Sequence, residues 1–235
     1  MDGHRVFLTQ DGSRSLFSER FGVSYHSKYG AWQETQHVFI DAGLRYAAVD
    51  REALRVLDVG YGTGLNAIAA LAFAKTRGLT VDYVGVDAYP VPAQTLADLA
   101  YPRDLAWDAD TRALYDALQG LPWDGKAYVL AEGLHVTKRQ ERFEALAERD
   151  RYDLVFYDAF APEAQPELWT REQFARVREA MRDGGVLVTY CAKGQVKRDL
   201  RAVDFEVEAL QGPPGKREMT RATKRSPGGS PAVVP

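Results

Sequence analysis

Between Arg55 and Gly78 the chain reads RVLDVGYGTGLNAIAALAFAKTRG: a short apolar run, a turn with glycine at 60, 62 and 64, then an apolar stretch of helical length. No other segment constrains the fold as much. A buried strand that passes directly into a helix returns to its sheet by a crossover, and crossovers set neighbouring strands parallel. The pattern repeats downstream. TVDYVGVD, KAYVLA, DLVFYDAF and VLVTYCA read as further strands. Helices are expected after Pro90, across ELWTREQFARVREAMRDGG with a glycine stop, and across GQVKRDLRAV. FEVEAL and KREMTRAT, joined by QGPPG, read as a closing antiparallel pair. The whole predicts an α/β fold: a Rossmann-like, doubly wound, mostly parallel sheet of seven strands.

Residues 1–50 differ, being polar and aromatic with turn signals at DGS and KYG, and are expected to form an N-terminal extension or cap. Within them ETQHVFIDAGLRYAAV places Val38, Leu44, Ala47 and Ala48 at helical spacing. Residues 51–225 carry the Rossmann-like domain. SPGGSPAVVP, residues 226–235, is low in complexity and expected to be disordered. An apolar share of 46% and a charged share of 27% suit one globular domain. No apolar run approaches the roughly 18 residues of a membrane span, and the N-terminus lacks the apolar core of a signal peptide. The one cysteine, Cys191, excludes an internal disulfide and a cysteine-rich metal site. Together these predict a cytoplasmic protein with neither membrane nor metal. The net charge of −3 hides an asymmetry: residues 193–225 hold nine Lys or Arg against five acids, which leaves −7 for the remainder. Such a face suits either solvent or a phosphate backbone.

The glycine turn is G-x-G-x-G with Asp58 two residues upstream of Gly60, not the G-x-G-x-x-G of a dinucleotide cradle. An acid entering the loop suits a cationic or amine-bearing ligand better than a pyrophosphate. S-adenosylmethionine, with an α-amino group and a sulfonium, fits that requirement. Asp58, Gly60, Gly62, Gly64 and Asn66 are thus expected to hold it. Asp87, at the end of the second strand, is placed to take the ribose hydroxyls, the alternative being a turn cap. Glu132, just past KAYVLA, is a candidate for the adenine amine.

Ligands of open α/β sheets sit at the carboxyl ends of the strands, so Asp58, Asp87 and Asp158 should converge. Asp158 closes the fourth strand, where an unpartnered carboxylate is costly to bury. That makes it the candidate catalytic acid, against the plainer reading of a cap. Phe160 and Trp169 follow closely and are candidates to stack on a base, Trp169 being equally readable as core.

DAFAP followed by PELW, TYCAKGQVKR and GPPGKREM are more specific than the glycine loop. With DGSRSLFSERFGVSYHSKYGAWQETQHVF and VGYGTGLN they make most of residues 11–220 resemble one family: the methyltransferase domain of the bacterial bifunctional tRNA-modification enzymes MnmC and its stand-alone homologues, MnmD. The resemblance implies methylation, from S-adenosylmethionine, of the primary amine of 5-aminomethyl-2-thiouridine at the wobble position in the tRNA anticodon stem-loop, giving 5-methylaminomethyl-2-thiouridine. It also implies no oxidase domain and no flavin here. Asp158 is then expected to orient the amine and accept its proton, with His26 as the rival base. Tyr25, His26 and Glu34 are expected contacts to the substrate or the methionine end, Glu34 toward the cofactor. Lys193, Lys216 and Arg217 are expected on tRNA phosphates. Aminopropyl transfer, and a non-catalytic nucleotide- or RNA-binding module, are the alternatives.

Overall fold

The computed structural model describes residues 3–226, so nearly all of the tail expected to be disordered lies outside the described residues. The chain opens with a separate antiparallel meander, β1 (His4–Leu8), β2 (Arg14–Ser18) and β3 (Val23–Ser24). A helical segment follows, regular over Ala31–Glu34 and wound more widely, as a π-helix, over Thr35–Arg45. Val38 and Leu44 are fully buried on it and Ala47 nearly so, the face that the apolar spacing marked. Gly43 brings this helix down onto the main sheet, because a Cβ there would lie 2.8 Å from Cγ2 of Val188.

The main sheet comprises β4 (Ala53–Val59), β5 (Thr80–Asp87), β6 (Asp124–Ala131), β7 (Leu134–Gln140), β8 (Tyr152–Tyr157), β9 (Met181–Thr189), β10 (Phe205–Gln211) and β11 (Glu218–Lys224). Their spatial order is β10-β11-β9-β8-β4-β5-β7-β6. The five central strands, β9 to β7, are parallel, and the pairs β10–β11, β11–β9 and β6–β7 are antiparallel. Among the described residues the sheet therefore has eight strands rather than the expected seven. The difference lies in one place. KAYVLA does not take the third parallel position but forms the outer, exposed arm of a hairpin turning at Gly133 (φ 71°). LHVTKRQ is the strand beside β5, and it buries Leu134, Val136, Thr137 and Lys138. The helix after Trp169 also ends earlier than expected, at Ala180, because MRDGG opens β9.

Alternate residues of the central strands feed two cores, as both-face burial of a parallel sheet requires. Val56, Tyr83, Phe156 and Val188 meet the helices Thr35–Arg45 and Leu65–Arg77 on one face. Leu57, Val84, Val155 and Leu187 meet Phe174, Val177 and Leu200 on the other. No helix among the described residues is long and apolar enough to cross a membrane.

Candidate active site

Strand register assembles the site. Val59 lies opposite Val86 and Tyr157, and Asp87 opposite Gln140, so four parallel strands end along one edge. A cleft opens there. Gly60, Gly62, Asn66, Asp87, Glu141, Asp158 and Phe160 line it, with Phe21, Tyr25 and His26 reaching over from the N-terminal meander.

The glycine turn is built for close approach. Gly60 has φ 89°, and a Cβ on it would fall 2.6 Å from the carbonyl oxygen of Asp158. The Gly62 N–H (φ 54°) donates to Oδ2 of Asp87 at 2.9 Å, and the Tyr89 N–H donates to Oδ1 at 2.8 Å. Asp87 thus clamps the turn while burial pushes its carboxyl upward.

Asp58 lies beneath the turn with no exposed surface. The Tyr83 hydroxyl donates to its Oδ2 at 2.6 Å, while Oδ1 has no partner. Burial, opposed by the Tyr83 bond and reinforced by the charge of Asp87, pushes its carboxyl up to about 8. Asp158 accepts from Nδ2 of Asn66 at 2.8 Å, and Asn66 is itself oriented by the Thr35 hydroxyl, which donates to its Oδ1 at 2.9 Å. Burial first, then the charges of Glu34 and Asp58, hold Asp158 well above the usual carboxylate range. Both acids are held by neutral donors, so each has a strong affinity for a proton or a cation.

Tyr25 packs its ring edge-on against Phe160 at 4.9 Å, and Phe21 lies 4.8 Å from the same ring, giving the cleft an aromatic wall. His26 meets the Ser15 hydroxyl through Nδ1 at 3.1 Å, and burial, opposed by Glu34, pushes it down to about 4. It is uncharged at neutral pH.

Several expected positions lie elsewhere. Glu132 sits exposed in the hairpin turn, at the amino end of β7, because the real third parallel strand begins after it. The acid at the carboxyl end of that strand is Glu141, which lines the cleft and contacts Arg139 at 3.6 Å. Trp169 is core. It is 6% exposed, packs on Tyr157 at 5.2 Å, and its indole N–H donates to the Phe160 carbonyl at 2.7 Å, bracing the loop from behind. Glu34 is 6% exposed and does not line the cleft: it accepts from the Ser27 N–H at 2.9 Å and pairs with the Lys216 ammonium. Lys216 therefore turns toward Glu34, with 31% of its side chain still exposed. Lys193 pairs with Glu163, while Arg217 is exposed. Phe21, Tyr89 and Glu141 went unmarked in the sequence. The first two lie outside any apolar run, and the third was masked by the hairpin.

Residues 130–225 match a family described as S-adenosyl-L-methionine-dependent methyltransferase. That match takes in the C-terminal part of the chain, from the end of β6 to the end of β11. The chain's curated relatives include tRNA 5-methylaminomethyl-2-thiouridine biosynthesis bifunctional protein MnmC of Ectopseudomonas mendocina, 32% identical over 232 residues (93% of this chain, 35% of that protein). The protein of the same name in Delftia acidovorans is 30% identical over 213 residues (88% and 33%). The chain spans about a third of the length of these relatives. Among solved structures, MNMC2 from Aquifex aeolicus superposes with a TM-score of 0.74 at 25% identity, covering 97% of this chain and 72% of that one. Spermidine synthase from Thermotoga maritima shares the fold, with a TM-score of 0.57 at 11% identity over 95% of this chain and 69% of that one.

The family matched over residues 130–225 depends on S-adenosyl-L-methionine. The residues present fit it: Oδ1 of Asp58 is left without a hydrogen-bond partner beneath the turn, and Gly60 and Gly62 line the cleft without side chains.

Proposed function

We propose that this methyltransferase transfers a methyl group to the primary amine of 5-aminomethyl-2-thiouridine at the wobble position of tRNA in the cytoplasm. The product is 5-methylaminomethyl-2-thiouridine, and the anticodon stem-loop is the part engaged. The observation that carries this reading is Asp158: a carboxylate of raised proton affinity, aimed by Asn66, lining the same cleft as Asp87. The relatives, named for the biosynthesis of 5-methylaminomethyl-2-thiouridine in tRNA, support the same product.

When bound, S-adenosyl-L-methionine supplies an electrophilic methyl carbon whose bond to sulfur breaks with the electron pair left on sulfur. The chain's residues do the rest. An alkylammonium has no free lone pair, and Asp158 takes its proton, freeing the nitrogen pair to form the new N–C bond. The Thr35–Asn66–Asp158 relay fixes the carboxylate, so the amine is held for in-line attack. The free Oδ1 of Asp58 would accept from the donor's amino group, Asp87 from its ribose hydroxyls, and Glu141 from its adenine amine. Phe21, Tyr25 and Phe160 offer ring faces and edges to an unstacked base, the way proteins commonly read single-stranded RNA.

The test is transfer of labelled methyl to bulk tRNA from cells blocked at the aminomethyl stage, followed by nucleoside analysis. Label in 5-methylaminomethyl-2-thiouridine is the expected result. Label in polyamines, in another nucleoside or nowhere overturns the assignment.

A further inference from the structure

Lys216 lies in a tight loop between β10 and β11. The Gly212 N–H donates to the Arg217 carbonyl at 3.1 Å, and the Lys216 N–H to the Pro213 carbonyl at 2.9 Å. From that loop its ammonium reaches the carboxylate of Glu34, 182 residues earlier in the chain, and stands 3.9 Å above the ring of Tyr190. One carboxylate and one π face make a box for a primary ammonium, since both attract the same compact charge. The box adjoins the proposed base. Thr35, next to Glu34 in sequence, bonds Asn66, which bonds Asp158, while the Tyr190 hydroxyl donates to the carbonyl of Ala159 at 2.8 Å. The charges of Glu34 and Lys216 are both felt at Asp158.

The side chain in this box ends in –CH2–NH3+, the same group that the proposed substrate carries on its base. Lys216 is also only partly enclosed, with 31% of its side chain exposed, so its ammonium reaches water by a rotation of a flexible stem. Glu34, at 6%, has no such exit and needs a cation wherever Lys216 goes.

We infer that the Glu34–Tyr190 box receives the substrate's alkylammonium, and that Lys216 occupies it as an internal stand-in which the substrate displaces. This rests on the amine-methylation reading. It makes Lys216 a specificity device. RNA without the amine cannot replace the ammonium and leaves the box shut, whereas RNA with the amine exchanges one ammonium for another. The stand-in lowers apparent affinity in proportion to its occupancy, so a box free in a tenth of the molecules weakens binding about tenfold.

The experiment compares Lys216→Met with the wild type, each titrated with tRNA bearing the aminomethyl group and with the same tRNA lacking it. The expected result is roughly tenfold tighter binding of the aminomethyl tRNA by the variant, with the amine-free tRNA unchanged. Equal weakening of both overturns the inference, because it marks a phosphate contact; no change in either overturns it as well. Lys216→Gln, which keeps a donor for Glu34, should give the same ordering if the methionine variant is poorly folded. A second readout needs no RNA. Methylammonium chloride should raise the melting temperature of Lys216→Ala above an equal concentration of sodium chloride and leave the wild type unmoved; a like response in both overturns the box. Should the wild type transfer no methyl to aminomethyl tRNA, the functional reading falls while the methylammonium result still reports on the box.

Discussion

Strand β8 carries an acid near each end, and the chain treats the two in opposite ways. Asp153, near the entry, is 5% exposed and accepts from Arg51 at 3.0 Å, Arg182 at 3.2 Å and the Arg55 N–H at 2.9 Å. Asp158, just past the exit, is answered by the neutral amide of Asn66. At one end the chain's own cations compensate for burial. At the other, proton affinity rises because neutral donors compensate only in part. Folding alone would favour the first arrangement at both ends. A charge left for something else to complete marks the functional edge of the sheet.

The largest effect expected from this contrast is on rate. Asp158→Asn keeps the bond partner's geometry but removes the proton acceptor, and should lower kcat about 10²- to 10⁴-fold while changing donor affinity little. Single-turnover methylation alongside calorimetric binding of S-adenosyl-L-methionine separates the two. Near wild-type turnover would end the role given to Asp158.

The next effect is on stability against pH. Burial pushes the folded carboxyl of Asp58 up to about 8, above the usual 3.8, so between about pH 4 and 8 the folded state binds more protons than the unfolded one. Stability of the ligand-free protein should therefore fall as pH rises through that window, by up to about 1.4 kcal/mol per pH unit for this group. Asp58→Asn should flatten the fall and abolish donor binding. Melting temperatures taken from pH 5 to 8 show which slope holds. Asp153→Asn should behave in the contrary way, costing about 1–3 kcal/mol in denaturant unfolding with kcat retained, because it breaks bonds internal to the fold.

This two-ended logic was partly legible in the sequence. Asp58, Asp87 and Asp158 each follow an apolar run, and a polar residue ending a buried strand needs a reason that local pattern alone makes visible. The glycine turn was legible for the same kind of reason, since three glycines at that spacing admit few other backbones. What failed to show were pairings between distant residues. Lys216 looked like a phosphate ligand because Glu34 lies 182 residues away. LHVTKRQ was not marked as a strand, and its Lys138 ammonium is buried over the ring of Trp123 at 5.0 Å and donates to the Leu118 carbonyl at 3.2 Å. KAYVLA, richer in apolar letters, lies on the exposed arm. The meander of β1–β3 has strands too short and too polar to announce themselves.

The hairpin supplies the smallest and most discriminating test, because it places two glutamates at opposite edges of the same sheet. Glu141 lines the cleft at the carboxyl end of β7, whereas Glu132 sits in the turn before its amino end. If Glu141 accepts from the adenine amine, Glu141→Gln exchanges a charged acceptor for a neutral one that keeps an oxygen in place. Its partial engagement with Arg139 at 3.6 Å already screens some of that charge. The loss should therefore be that of one ordinary hydrogen bond, about 0.5–1.5 kcal/mol, or a several-fold rise in Kd for S-adenosyl-L-methionine. Glu132→Gln should leave Kd untouched. Calorimetric titration of the two variants side by side decides the matter: an effect at 132 and none at 141 would put the adenine at the wrong edge and return the third strand to KAYVLA.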